Sequence, residues 1–280
     1  MTDYFEYIEK AVKKENQFLK TVSSCPIIEI IGIVGPDGGG GGQIGRQKLW
    51  TLVFTLEAYR INNGEIIKKP LSFKRKVTER ELRNYQEKIE GEKVIKIKAR
   101  ISTRNVYKQT QGYLEKYIRV IKKDSELNDY LKELNKPKKI KVAKLGTFNY
   151  DRSVSWYSAK TKWNNKKITL VLEVDNPENY QKQIEIANTM WKDQSILNKE
   201  VVDYAIKKLL PLKNSTWLEE EGEKEVTSKK FKSLMDLNSI FINTKKGFEF
   251  IFDDGGLFYG HQIQVLSNSK LQPKKAYIQG

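Results

Sequence analysis

Short apolar runs broken by residues that tolerate a positive φ constrain this chain more than any other feature. Asn63-Gly64, Asn164-Asn165, Lys246-Gly247 and Asp254-Gly255-Gly256 each fall between strand-like segments, and such residues are what tight hairpins require. A chain punctuated this way is committed largely to antiparallel sheet. In the first half the expected strands are residues 27–34, 49–59 and 66–77. Thr78-Glu79-Arg80-Glu81 then has the spacing of a capping box and opens a helix to about Ile89. Past Gly91 the sequence alternates, with Ile95, Ile97, Ala99 and Ile101 on one face and Lys96, Lys98 and Arg100 on the other. Residues 113–122 supply another strand. Three strands, a helix and two strands follow the order of an OB-type barrel.

Residues 1–25 read as a helical lead-in, with Tyr4, Phe5, Ile8, Val12 and Phe18 near helical spacing, and 26–122 as the basic, β-rich, OB-like domain. Residues 123–143 read as a helical, charged linker: Asp124 or Ser125 caps a helix to about Leu134, and Asn135-Lys136-Pro137-Lys138-Lys139 stops it. Residues 144–280 form an α+β domain. Its strands are expected at 145–150, 154–163 and 167–175, followed by a helix that Asn176 caps and Pro177 begins. A second helix carrying Val202, Ala205 and Leu209 ends before Pro211, a short third covers 227–235, and strands at 240–243, 248–252 and 257–266 finish the chain. The expected class is therefore α+β: an OB-like barrel with one helix, then an antiparallel sheet with two to three helices.

A length of 280 residues allows two domains, and 14 Tyr, 11 Phe and 5 Trp within a 39% hydrophobic share can fill both cores. Cys25 is the sole cysteine, which excludes an intrachain disulfide. His261 is the sole histidine, so no zinc site of several Cys or His ligands can form, and no cofactor is implied. The N-terminus mixes acids and bases from Asp3 onward, unlike a signal peptide. The most apolar run, 27–35, contains Glu29 and falls far short of the roughly 20 residues of a membrane span. The expectation is a cytoplasmic protein without a membrane partner. The formal charge of +16 divides into +12 before Ala143 and +4 after it, which favours acidic partners for the first domain.

The pieces LGTFNYDRSVSWY, VLEVDNPE, NTMWKDQ, STWLEEE and FEFIFDDGGLFYGHQIQV, in that order from Lys144, resemble the uncharacterised bacterial family filed as domain of unknown function 2262. IEIIGIVGPDGGGGGQIG with KLW, within 26–122, resembles the module that accompanies that domain in longer bacterial proteins. Neither resemblance brings an activity or a catalytic residue. Related small α+β domains occur among immunity proteins of bacterial toxin systems, and the resemblance implies that role by analogy.

Three constellations are candidates. The glycines from Gly35 to Gly45 could present backbone amides to an anion, with Arg46 and Lys48 as counter-charges. No Gly-Lys-Ser/Thr follows and no helix opens there, so a mobile inter-strand loop is the plainer reading. Lys96, Lys98 and Arg100 with Lys74, Arg75 and Lys76 would suit a groove tracking a nucleic-acid backbone, or form a solvated strand face. Glu249, Asp253, Asp254 and His261 fall within 13 residues, where they could perform acid–base chemistry or hold a hard cation. Asp253-Asp254-Gly255-Gly256 is equally a turn. Cys25 reads as an ordinary free thiol, and Glu219-Glu220-Glu221 with Glu223 as a solvated acidic loop. Taken together, the sequence reads as a non-catalytic, macromolecule-binding protein with a protein partner of immunity or conflict type. Trp217, Asp253, Asp254, Tyr259 and His261 would line the contact. One sign opposes the familiar variant, since inhibitors of basic nucleases are expected to be acidic. Nucleic-acid binding through the first domain, and a carboxylate- or metal-dependent enzyme near His261, are the alternatives.

Overall fold

The computed structural model describes residues 2–45, 47–218, 224–243 and 247–280. Contacts divide the chain into Met1–Lys136 and Pro137–Gly280. In the first unit α1 (Thr2–Ser23) precedes β1 (Ile28–Val34), β2 (Gly40–Gly42), β3 (Trp50–Ile61), β4 (Leu71–Val77), α2 (Glu79–Lys88), β5 (Val94–Ser102), β6 (Gln111–Val120) and α3 (Ser125–Leu134). The strands run in the order β1-β5-β6-β4-β3-β2, and β1 also pairs with β3, so hydrogen-bonded neighbours close into a ring. Within it β4 and β6 are parallel and the other pairs antiparallel. Alternation places Ile30, Leu52, Phe54, Phe73, Ile97 and Leu114 in one buried cluster, where Phe54 stacks on Phe73 with centroids 5.1 Å apart.

The capping box at Thr78 is complete: its hydroxyl accepts from the Glu81 amide, and the Glu81 carboxylate accepts from the Thr78 N–H at 2.8 Å. The third strand starts later than the pattern suggested. Residues before Pro70 contribute only a bridge from Ile67 to Tyr59, because proline cannot donate to the ladder. The glycine stretch also departs from the mobile loop expected of it. Gly40–Gly42 is a strand on β3, and α2 crosses it so closely that a Cβ on Gly41 would lie 2.6 Å from Leu82 Cδ1. Residues 123–143, expected as a linker, are built into the two units. α3 buries Leu127 against Ile33, Ala58 and Val94, and Arg60 ties down its start through Asp124 at 3.1 Å and Glu126 at 2.7 Å.

The second unit contains β7 (Lys139–Val142), β8 (Gly146–Asp151), β9 (Trp156–Trp163), β10 (Lys166–Glu173), α4 (Gln181–Lys192), α5 (Gln194–Thr216), α6 (Ser228–Leu234), β11 (Asp236–Asn243), β12 (Gly247–Asp253), β13 (Gln262–Ser267) and β14 (Pro273–Gln279). These eight strands form a sheet in the order β14-β13-β12-β11-β10-β9-β8-β7. It is not wholly antiparallel, because the three helices carry the chain from β10 to β11 and those two strands run parallel. Ala187, Met190, Val201, Ala205 and Leu209 of the helices share a core with Leu170, Ile240, Phe250 and Val265 of the strands. The β9–β10 hairpin has Asn164 and Asn165 at φ +47° and +66°, the conformation its residues were suited to.

Three boundaries differ from the pattern. α4 begins at Gln181, because Asn176 closes a turn instead: its side-chain oxygen accepts from Glu178 N–H at 2.9 Å. α5 continues through Pro211. Proline leaves the Lys207 carbonyl without its helical donor, but Leu209 and Lys213 on either side are buried, and that packing outweighs the lost bond. Residues 257–261, expected to open a strand, belong to a loop before β13.

Candidate binding surfaces

At the end of β12 the chain turns through Asp254 to His261, with Gly255, Gly256 and Gly260 all at positive φ. Asp254 organises this loop. Its carboxylate is buried, Oδ2 accepts from the N–H groups of Phe258 at 2.5 Å and Gly260 at 3.2 Å, and Oδ1 accepts from Gly256 N–H at 3.1 Å. Both oxygens are thereby used on the backbone. Tyr259 sits at φ +57°, a conformation that costs a residue with a Cβ roughly 1–2 kcal/mol, and its side chain is 55% exposed. Trp217, at the C-terminal cap of α5, gathers the loop: its ring lies 5.5 Å from Phe258, 5.3 Å from Tyr259 and 5.7 Å from His261. Trp217 is itself fixed by Lys213, whose buried ammonium donates to its carbonyl.

Of the expected acid–base group, the structure brings only part together. Asp253 accepts from the Asn238 amide at 3.2 and 3.1 Å, and Glu249 from the Gln264 amide at 2.6 Å. No hydrogen bond or ion pair joins His261 to Glu249, Asp253 or Asp254. Among the described residues, no cluster of three His, Cys, Asp or Glu could hold a metal ion. The arrangement presents aromatic surface on a loop tied to the Asp254 carboxylate.

The basic face of the first unit is also engaged. Lys96 pairs with Glu29 at 2.7 Å, which holds the Glu29 carboxyl below the usual range. Arg100 pairs with Glu115 at 2.5 Å and donates to the carbonyls of Ser23 and Cys25 at the end of α1. Arg75 donates to the carbonyls of Leu114 and Glu115. Lys76 meets the buried Glu15 of α1 at 2.5 Å, and Glu15 also accepts from Thr51 at 2.9 Å. Lys74 lies 4.3 Å from the centre of the Tyr107 ring, and burial pushes its ammonium down. Lys98 remains on the exposed face of β5. Lys48 is exposed, while Arg46, the acidic run 219–223 and Lys246 lie outside the described residues. Glu15 and Tyr107 are contributors that the charge pattern missed. Glu15 was discoverable, since Glu15, Phe18 and Val22 recur at the three-to-four spacing of a buried helical stripe.

Residues 143–278 match the family model described as an uncharacterized protein conserved in bacteria (DUF2262). Residues 14–134 match a domain of unknown function (DUF7021). The chain thus carries an N-terminal module followed by the DUF2262 domain, as the quoted motifs implied. Among curated proteins none is significantly similar to it. No helix among the described residues is long and apolar enough to cross a membrane.

Proposed function

We propose that this chain, a DUF7021 module followed by a DUF2262 module, is a non-catalytic macromolecule-binding protein that recognises a protein partner. Trp217, Tyr259 and His261 form the contact, with Asp253 and Asp254 as its frame, in an immunity-type or conflict-associated role in the cytoplasm. One observation carries the reading: Tyr259 is more than half exposed, yet a buried carboxylate and a tryptophan hold it in a costly left-handed conformation. Strain kept at the surface is a mark of functional loops, and tyrosine and tryptophan supply large contact area with little rotamer entropy to lose. The test is retention of a defined partner. A protein that copurifies with the full chain from the source bacterium should be lost from Tyr259→Ser and Trp217→Leu variants whose folds are intact. Equal retention by both variants, or no copurifying protein, overturns the reading.

A second reading, nucleic-acid binding through the first unit, is favoured by its strand order. We infer an OB-type barrel, supported by the ring of pairings, its parallel β4–β6 closure and the helix between β4 and β5. Against it, five of the six proposed strand bases already have partners within the chain. Titration with labelled DNA and RNA at about 50 and 200 mM salt decides it, because phosphate contacts predict a loss of affinity of roughly tenfold or more over that range.

A further inference from the structure

In the second unit, where β9 begins and β10 and β11 end, lies a cavity of about 120 Å³ lined by Trp156, Glu173, Asp175, Gln183 and Asn243 among others. It is short of donors. Gln183 is 5% exposed, and its amide donates to the Glu173 carbonyl at 2.7 Å. That bond fixes the orientation of the amide, because a flip would set two oxygens against each other. Its Oε1 is left buried with no partner. On Glu173, Oε2 accepts from the Asn243 amide, and among the described residues no other hydrogen bond or ion pair reaches the carboxylate. Asp175 and Asn243 hold interactions of their own, so the buried unmet acceptor is the Gln183 oxygen, with the Glu173 carboxylate beside it. A buried acceptor without a donor is costly, and a carboxylate beside it sets the sign of what would satisfy both.

Among the remaining lining residues Trp156 is the aromatic one, beside Val154, Ser155 and Val174. Trp156 meets Phe241 edge-on, with centroids 5.2 Å apart and planes at 80°, which steadies the indole. Indole beside carboxylate is the environment that a planar cation with several N–H groups matches, through stacking and hydrogen bonding together. At about 120 Å³ the cavity has room for a small group of a few heavy atoms, such as the carbon and three nitrogens of a guanidinium. An ammonium would offer its donors around a point and leave the indole face less well covered. We propose that this cavity binds a guanidinium group, carried either by an arginine side chain or by a free guanidino compound. It lies apart in the sequence from Trp217 and Tyr259 and is an addition to that surface.

The experiment is an NMR titration of the full chain, following the Trp156 indole N–H and the Gln183 side-chain amide. Methylguanidinium chloride is the free probe, N-acetylarginine methylamide the side-chain probe, and methylurea the neutral counterpart. Saturable shifts at both residues are expected from the two cationic probes and not from methylurea, the tighter cation identifying the source. Glu173→Gln should weaken binding about tenfold. Trp156→Leu, at a partly exposed position, should weaken it also and carries the test if Glu173→Gln does not fold. Absence of saturable shifts, an equal response to methylurea, or unchanged affinity in a folded variant overturns the proposal.

Discussion

Asp254→Asn isolates what a buried carboxylate does in the second unit. The aspartate accepts three backbone N–H groups, two on Oδ2 and one on Oδ1. An asparagine keeps its single oxygen best where Oδ2 stands, preserving the bonds from Phe258 and Gly260 in neutral form. Its amide nitrogen then faces the Gly256 N–H, donor against donor. The unpaired amide costs about 1–3 kcal/mol, and loss of charge assistance in the other two bonds about 1 kcal/mol each. Relief from burying a charge offsets part of this, leaving a net destabilisation of about 2–4 kcal/mol. With a urea slope of about 2 kcal/mol/M, the midpoint falls by about 1–2 M. Tryptophan fluorescence is the assay, since Trp156, Trp163, Trp191 and Trp217 all report on the second unit. Hydrogen exchange at Phe258 and Gly260 gives the local readout. A midpoint shift below about 0.3 M, a displacement worth under ~1 kcal/mol, with the loop amides still protected, would refute the view that Asp254 organises the loop.

The glycine strand allows a paired test by thermal unfolding. Gly41→Ala should destabilise by about 1–3 kcal/mol, because its Cβ collides with Leu82, whereas Gly42→Ala meets nothing within 4 Å and should be neutral or gain about 0.4–1 kcal/mol. Equal effects would restore the loop reading. The Glu81 carboxyl is held below its ordinary range by hydrogen bonds from the Thr78 amide and hydroxyl. A depressed folded value means that the cap stabilises above the unfolded carboxyl range and is lost as pH falls through the folded one. Protection of the first α2 amides should therefore decline on acidification in the native chain and not in Glu81→Gln, which has no carboxyl to titrate. Lys74 has the same sign of linkage in the alkaline range: burial depresses its ammonium, so stability should rise with pH as the folded group loses its proton before the unfolded one. Urea midpoints of native chain and Lys74→Met across alkaline pH measure that difference.

Much of the fold was legible where local chemistry decides structure. Thr78 and Glu81 lie on the chain at the spacing of their reciprocal bonds, and Asn164-Asn165 carries its own tolerance of positive φ. What was illegible depends on partners distant in sequence. Pro211 stops an isolated helix, and only the burial of Leu209 and Lys213 reverses that preference. Asn176-Pro177 has the chemistry of a helix start and of a turn equally, and the Glu178 amide selects the turn. The glycine run carried no sign of α2 passing above it. Residues 139–142 looked like linker because alternate lysines on a short strand also describe an edge, which β7 is.

The site obeyed the same division, with a sharper consequence. Paired aspartates before two glycines and near a histidine have one sequence signature for two chemistries. A carboxylate poised for proton transfer keeps a lone pair directed at substrate, whereas a loop organiser directs both oxygens at amides. Which of these Asp254 does depends on the path of Gly255–Gly260, where positive φ at four positions turns three N–H groups inward. That inward turn has a geometric price: the side chain of Tyr259, between two inward-facing amides, is sent to the surface. The exposed aromatic and the buried acid are thus one feature. A mutation that frees the carboxylate removes the display of the tyrosine, so proton transfer at Asp254 and the recognition proposed for Tyr259 would each call for its own loop conformation.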